Sequence, residues 1–426
     1  MYDVFSIPDF SFPKDFLWGC ATAGHQIEGN NIHSAEWASE LARPEDPTGI
    51  NKPSGMACNH YHMVDEDIGI MTELGMQAYR MSIEWSRIEP EEGVFCREAI
   101  DHYLDEVSKL KERGIKIFVT LNHFSSPKWF ADMGGIADER NLKYFERYLD
   151  KVVPIFAPYV DMWNVLNEFN LGMDPDAMKR KHHFMKFHTL GYHTVKKYTS
   201  APVSSAHAMV MFDPVRRYDK FDSVSADYYD MCANEFFFHA IRTGEVILPP
   251  WGGYYDPDVK GTCDFWSVNI YTRSMVDARK EWFLTGPYAH KRIDMIPMDF
   301  YLNDMFPETI VHQLTRLTDK PVYITENGCS AVDDDWRIVY MTLYLSALHE
   351  AMERGVDVRG YLYWSLLDNY EWGSFVPRFG LVDVDFETFE RKIKPSGYFY
   401  RDIIKNGGFS QEILRKYLTA LPVLGK

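Results

Sequence analysis

Residues 321–328 read PVYITENG. Val, Tyr, Ile and Thr suit a pleated, half-buried strand, and Asn-Gly is a strong turn signal. The pattern predicts a strand over 321–325 that delivers a carboxylate, Glu326, at its exit. One such glutamate would be explained as an exposed turn residue, so its meaning depends on what surrounds it in the chain.

Seven further β-rich runs share this character: FLWGCATA (16–23), AYRMSI (78–83), KIFVTL (116–121), DMWNVL (161–166), PVSSAHA (202–208), DFWSVNI (264–270) and VRGYLYWS (358–365). Between them lie amphipathic stretches such as YHMVDEDIGIMTELG and AIDHYLDEVSKLKERG. Their apolar residues recur at three- and four-residue spacing and they end at glycine, the signature of a helix. Near-continuous apolar strands alternating with helices imply a parallel sheet covered on its faces, and eight repeats predict a closed (β/α)8 TIM barrel of the α/β class. An open, doubly wound sheet is the competitor. It is disfavoured because neither G-x-G-x-x-G nor a Walker A sequence follows any of the runs. No linker or low-complexity segment divides the chain, which predicts one domain over 1–426. The longest poorly patterned stretch, about 272–305, is expected to be a loop after the sixth strand, on the face where barrels build active sites.

The bulk numbers narrow the functional classes. A formal charge of −17 and a pI near 5.3 argue against nucleic acid as a partner, since phosphate backbones attract clustered Lys and Arg. The six cysteines form no C-x-x-C pair, which predicts free thiols rather than a zinc ribbon or disulfide framework. The N-terminal MYDVFSIPDFSFPKDF lacks a basic region followed by an apolar one, and no run approaches the roughly 18 apolar residues of a membrane span. A cytoplasmic protein without membrane contact is expected; oligomeric state is left open. Aromatic residues make up 15% of the chain, with 11 Trp, enough to supply stacking surfaces for sugar rings beyond what packing uses.

In a barrel, functional side chains gather at the C-terminal ends of the strands. Those ends carry Gln26 and Glu28, Arg80, Asn122 and His123, Asn167 and Glu168, Asn269 and Tyr271, Glu326, and Trp364 with Glu371 and Trp372 just beyond. Glu168 and Glu326 come from strands four and seven and face each other across the ring. Glycosidic bond cleavage needs such a pair, one group to protonate the departing oxygen and one to attack or stabilise the anomeric carbon. Structural and metal roles are the alternatives for these carboxylates. Glu168, flanked by an amide and an aromatic ring, suits the acid, and Glu326, with Arg80 and Tyr271 in reach, suits the nucleophile.

The ordered blocks FPKDFLWGCATAGHQIEG, YRMSIEWSRIEP, VTLNHFSSP, WNVLNEF, DFWSVNIYT, YITENG and YLYWSLLDNYEW resemble family 1 glycoside hydrolases, the retaining β-glucosidases, β-galactosidases and their relatives, over about residues 12–400. The resemblance implies that Glu326 is the nucleophile and Glu168 the general acid/base. It implies sugar contacts from Gln26, His123, Asn167, Glu371 and Trp372, with Trp364 as stacking platform, and Arg80 and Tyr271 supporting the nucleophile. The expected substrate is a small β-glycoside with a terminal glucosyl, galactosyl or fucosyl residue, cleaved with retention and without cofactor or metal. Glu371 stands where members that accept 6-phosphorylated sugars carry a smaller group, so unphosphorylated substrates are expected. Two rivals are an enzyme that mainly transfers the glycosyl group and a non-catalytic sugar-binding barrel.

Three features depart from the family pattern: Phe169 in place of a proline after the acid/base, Asn303 where a tryptophan is often found, and a segment after Trp372 one residue short. All bear on the leaving-group side. Elsewhere, His60 and His62 are spaced i,i+2 and point to different helix faces, which disfavours a metal. His182, His183 and His188 are expected on a helix surface or loop. DDDW (333–336) reads as a solvated helix start, and the methionines of MKRKHHFMKF as gap-fillers or, alternatively, lining of a leaving-group channel.

Overall fold

A computed structural model describes residues 3–43, 52–172, 174–280, 284–285 and 304–423. Eight parallel strands close into a barrel: β1 (Leu17–Ala21), β2 (Ala78–Ser82), β3 (Lys116–Asn122), β4 (Met162–Asn167), β5 (Val203–Ala208), β6 (Trp266–Asn269), β7 (Val322–Asn327) and β8 (Val358–Trp364). Each pairs with its sequence neighbour, and β8 closes on β1 through Gly360–Leu17 to Trp364–Ala21. Every run read as a strand from the sequence is one of these staves. β7 continues two residues beyond the expected end, so Glu326 and Asn327 lie inside the strand rather than in a turn after it.

Strand alternation divides two cores. On β2 and β3, Tyr79, Met81, Ile117, Val119 and Leu121 face outward into the large apolar layer between barrel and helices. Ala78 and Phe118 face inward, where with Ala21, Met162, Phe265 and Leu362 they plug the barrel floor. Above that plug the inward positions turn polar, with Arg80, Thr120, Ser267 and Thr325 all buried.

The outer layer includes α1 (His60–Glu73), α2 (Arg97–Glu112), α3 (Leu142–Phe156), α4 (Pro175–Tyr198), α5 (Phe236–Thr243), α6 (Glu308–Leu314), α7 (Asp334–Glu353) and α8 (Pro395–Asn406). Several are capped as their sequences dictate. Asp174 accepts from the backbone of Asp176 and Ala177 at the start of α4, where proline takes the first turn. The acidic run before Trp336 differs from the solvated start expected. Asp333 caps α7 through Asp335 N, while Asp334 takes Ser396 N and Oγ at 2.7 Å and the buried Arg337, tying α7 to α8.

The stretch after β6 also differs from a plain loop. It opens with a strand, Arg273–Val276, paired parallel to Met211–Pro214 and antiparallel to Leu284–Thr285. Asn303 lies outside the described residues. His188, expected at a surface, is buried between Ser205 (2.7 Å) and Thr262 (3.1 Å). No helix of the described residues is long and apolar enough to cross a membrane, and all six cysteines are free thiols.

Candidate active site

Backbone irregularities at the C-terminal ends of three strands aim the polar ring inward. The β6–β7 register slips between Val268 and Asn269, so that Val268 faces Ile324 but Asn269 faces Glu326. The β7–β8 pairing slips between Ile324 and Asn327, and β4–β5 between Asn164 and Asn167. An extra residue in a strand reverses which face the next side chain takes. Through these slips Thr325 and Glu326, adjacent in sequence, both reach the barrel interior. Asn327 is fixed below by Tyr340 (3.0 Å) and Tyr361 (2.8 Å).

Glu326 is gripped from two sides. Arg80, fully buried on β2, donates through Nη1 to Oε1, and Tyr271 Oη donates to Oε2 at 2.7 Å. Arg80 is itself held by Thr120 Oγ1 at 3.0 Å and Asn167 Oδ1 at 2.5 Å. One charge-assisted donor per oxygen is the arrangement that complements a carboxylate.

Glu168 follows β4 directly, and its backbone N–H is pinned to Ala206 O at 2.7 Å. Its Oε1 accepts from Asn269 Nδ2 at 2.9 Å, and Asn269 also donates to Asn167 Oδ1 at 3.0 Å. Burial, reinforced by the nearby charge of Glu326, pushes the Glu168 carboxyl up to about 8. The hydrogen bond from Asn269 and the positive charge of Arg80 oppose that shift without cancelling it.

These contacts also set a tautomer. Asn167 Oδ1 accepts from both Arg80 and Asn269, so its amide nitrogen donates to His123 Nε2 at 3.1 Å. Burial and then Arg80 hold His123 well below the usual imidazole range, so the ring is neutral and carries its proton on Nδ1. That Nδ1 is buried and unpartnered among the described residues, as is Gln26 Oε1, whose amide nitrogen binds Asn369 Oδ1 and Tyr370 O at 3.0 Å. Buried polar atoms without partners mark where a ligand's hydroxyls fit. Trp364 Nε1 donates to Glu371 at 3.2 Å, and burial holds the Glu371 carboxyl up at about 8. Trp372 lies parallel to His25 (centroids 5.6 Å) and to His123 (6.4 Å), and Trp364 lies parallel to His123 (5.9 Å).

A cavity of about 650 Å³ is lined by Gln26, His123, Glu168, Tyr271, Glu326, Trp364, Glu371 and Trp372 together with an outer rim that includes Phe124, Met209 and Phe379. Arg80 and Asn167 stand behind this wall and touch it through Glu326, Asn269 and His123. A pocket floored by paired carboxylates and walled by tryptophans suits a sugar ring, whose apolar C–H faces stack while its hydroxyls bond. The profile of glycosyl hydrolase family 1 matches residues 9–248 and 255–409.

The chain belongs to glycosyl hydrolase family 1. Beta-glucosidase A of Acetivibrio thermocellus is 31% identical, the match covering 94% of this chain and 99% of that protein. A beta-galactosidase of Saccharolobus solfataricus is 27% identical over 97% of this chain and 98% of its own. Among solved structures, a beta-glycosidase from Pyrococcus horikoshii superposes with a TM-score of 0.84 at 34% identity, covering 96% and 98% of the two chains. The family 1 β-glucosidase from Thermotoga maritima superposes with a TM-score of 0.85 at 27% identity, covering 94% and 99%. The protein is accordingly a glycoside hydrolase.

Other ring positions prove to be supports for this family 1 site. Glu28 turns away from the cavity to Arg87 Nε (2.6 Å) and Tyr103, and Asn122 binds Ser125 O (2.8 Å). Asn269 stood in the ring read from the sequence, but its part in joining Glu168 to Asn167 and, through its Oδ1, to Thr325 is visible only in three dimensions. Both ring nitrogens of His60 face carboxylates, Asp67 at 2.7 Å and Glu106 at 3.1 Å. No cluster of metal-ligating residues occurs among the described residues.

Proposed function

We propose that the protein hydrolyses terminal, unphosphorylated β-linked glucosyl, galactosyl or fucosyl residues by double displacement, with retention at the anomeric carbon. Glu326 attacks that carbon while Glu168 gives its proton to the departing glycosidic oxygen, leaving a glycosyl ester on Glu326. Glu168, now a carboxylate, then takes a proton from water. The water oxygen displaces Glu326 and regenerates both groups. The observation that carries this reading is the contrast between two carboxyls on one cavity. Glu326 meets Arg80 and Tyr271, whereas Glu168 is held up at about 8 by burial and by its neighbour's charge. A carboxyl that keeps its proton facing one that accepts from an arginine and a tyrosine is what acid and nucleophile require.

Gln26, His123, Glu371 and Trp372 are assigned to the sugar's hydroxyls and Trp364 to its apolar face, with Asn167, expected from the family resemblance to touch the sugar, acting from behind the wall through His123. The preference for unphosphorylated sugars rests on charge. The described cavity lining offers one cationic side chain, Arg273, and that is engaged by Asp213 and Asp304, each at 2.8 Å. A panel of p-nitrophenyl β-glycosides and their 6-phosphates should give turnover of the neutral sugars only, with the β-anomer as first product by NMR. A 2-deoxy-2-fluoro glycoside should label Glu326, read by peptide mass spectrometry. An α-anomer first product, or label on another residue, would overturn the mechanism.

A further inference from the structure

Glu168 also lines a second cavity, of about 330 Å³, which Tyr271 does not line. The two cavities share Phe124, Glu168 and Leu171 as their partition. The second is walled by Phe169, Phe184 and Ile136, with Gly134 and Gly135 adding no side chain. Phe169 and Phe184 meet edge to face at 6.2 Å. The exposed Arg180 completes the lining, one helical turn before Phe184 on the same face of α4.

Arg180 is exposed, and no carboxylate among the described residues is in ion-pair contact with it. Asp174 feels its charge, but its own hydrogen bonds come from the backbone of Asp176 and Ala177. The neighbouring cations are committed elsewhere: Lys181 to Cys232 O at 3.1 Å and Lys186 to Glu139.

We propose that this cavity receives the leaving group, and that it selects a flat apolar aglycone bearing a carboxylate at its far end, an aryl-acid β-glycoside. The assignment rests on the reading of Glu168 as the acid. A departing oxygen must lie beside Glu168, and the group attached to it therefore starts at the partition between the two cavities. Aromatic walls meet an aromatic ring on its face and edge. A carboxylate para to the glycosidic oxygen extends along the cavity toward Arg180, whose planar fork matches it. The second cavity thus adds selection by charge to a glycone pocket that has none to spare.

The test compares 4-carboxyphenyl and 4-carbamoylphenyl β-glycosides of the sugar turned over best, a pair of near-equal shape that differs in charge. The wild-type enzyme should favour the carboxylate by about fivefold in kcat/KM, the scale of one exposed ion pair, and less in high salt. Arg180→Ala should erase the preference and Arg180→Glu invert it. Ala137→Phe, which fills the cavity, should raise KM for both substrates while inhibition by the free sugar is unchanged. Turnover of both with equal efficiency, and a ratio indifferent to Arg180→Glu, would refute the aglycone assignment alone. Absence of turnover with any aryl glycoside would refute the glycosidase reading and this assignment with it.

Discussion

Glu168 occupies a backbone φ of +48°, a region that side chains other than glycine rarely adopt. It is held there by the bond to Ala206 O and by Asn269, and its carboxyl is kept protonated by burial. In its proposed role as general acid it must carry its proton, so kcat/KM for substrates with poor leaving groups should fall as pH rises through about 8. Glu168→Gln should cost such substrates about 10²- to 10⁴-fold, should spare activated aryl glycosides in the first step, and should abolish the alkaline limb. A limb that survives would belong to Glu371, held at a similar value. Glu326→Gln should remove at least about 10⁴-fold of turnover on every substrate, the scale on which loss of a covalent nucleophile is felt.

The same two raised carboxyls bear on stability. Each sits near 8 in the folded chain against about 4.5 unfolded, so the folded state gains from their protons at low pH. That gain is complete below about 4.5 and is lost as pH climbs through 8. Glu168→Gln and Glu371→Gln should therefore raise the melting temperature more at pH 8 than at pH 5. Thermal denaturation at both values checks the sign.

At the scale of elements, the strand ends are built by close approach. A Cβ placed on Gly328 would stand 1.8 Å from Trp364 O, so β7 can pass its neighbour β8 only with no side chain there. Gly328→Ala should cost about 1–3 kcal/mol by forcing the two strands apart, with a fall in kcat because Glu326 and Trp364 lie on the displaced segments. Urea unfolding and initial rates on one aryl glycoside measure both effects. The Asn-Gly pair read as a turn signal thus serves a different end. Asn327 is still strand, locked by Tyr340 and Tyr361, and Gly328 marks backbone contact.

Across the whole molecule, buried charges tie distant parts of the outer layer to one another. His60 on α1 joins Asp67 on the same helix and Glu106 on α2, and Asp67 takes Arg391 Nε at 2.9 Å from 324 residues along the chain. Burial alone would lower the His60 pKa, but Glu106 and Asp67 outweigh it and carry the ring up to about 10. Its stabilisation is complete below about 6.5 and fades as pH rises through 10. His60→Ala should cost about 3–5 kcal/mol near neutrality, since it strands two carboxylates with one arginine, and the cost should shrink above pH 10. Denaturant titrations across that range test it.

The sequence by itself determined the number, order and direction of the barrel strands, because apolar runs and helical periodicity are local consequences of which side chains avoid water. It also named the polar residues at the strand ends, which follow from chain position once the barrel is inferred. Only the tertiary structure decided which way Asn167, Asn269 and Glu326 point, since a one-residue slip leaves composition unchanged while exchanging the faces of a strand. It likewise decided that His60 is an ion-pair partner and that Arg180 and Phe184, read within a Met-rich stretch, open onto Glu168, whereas Met178 and Met185 of that stretch are buried core. Those outcomes depend on which distant segments meet, a property that no local window of residues contains.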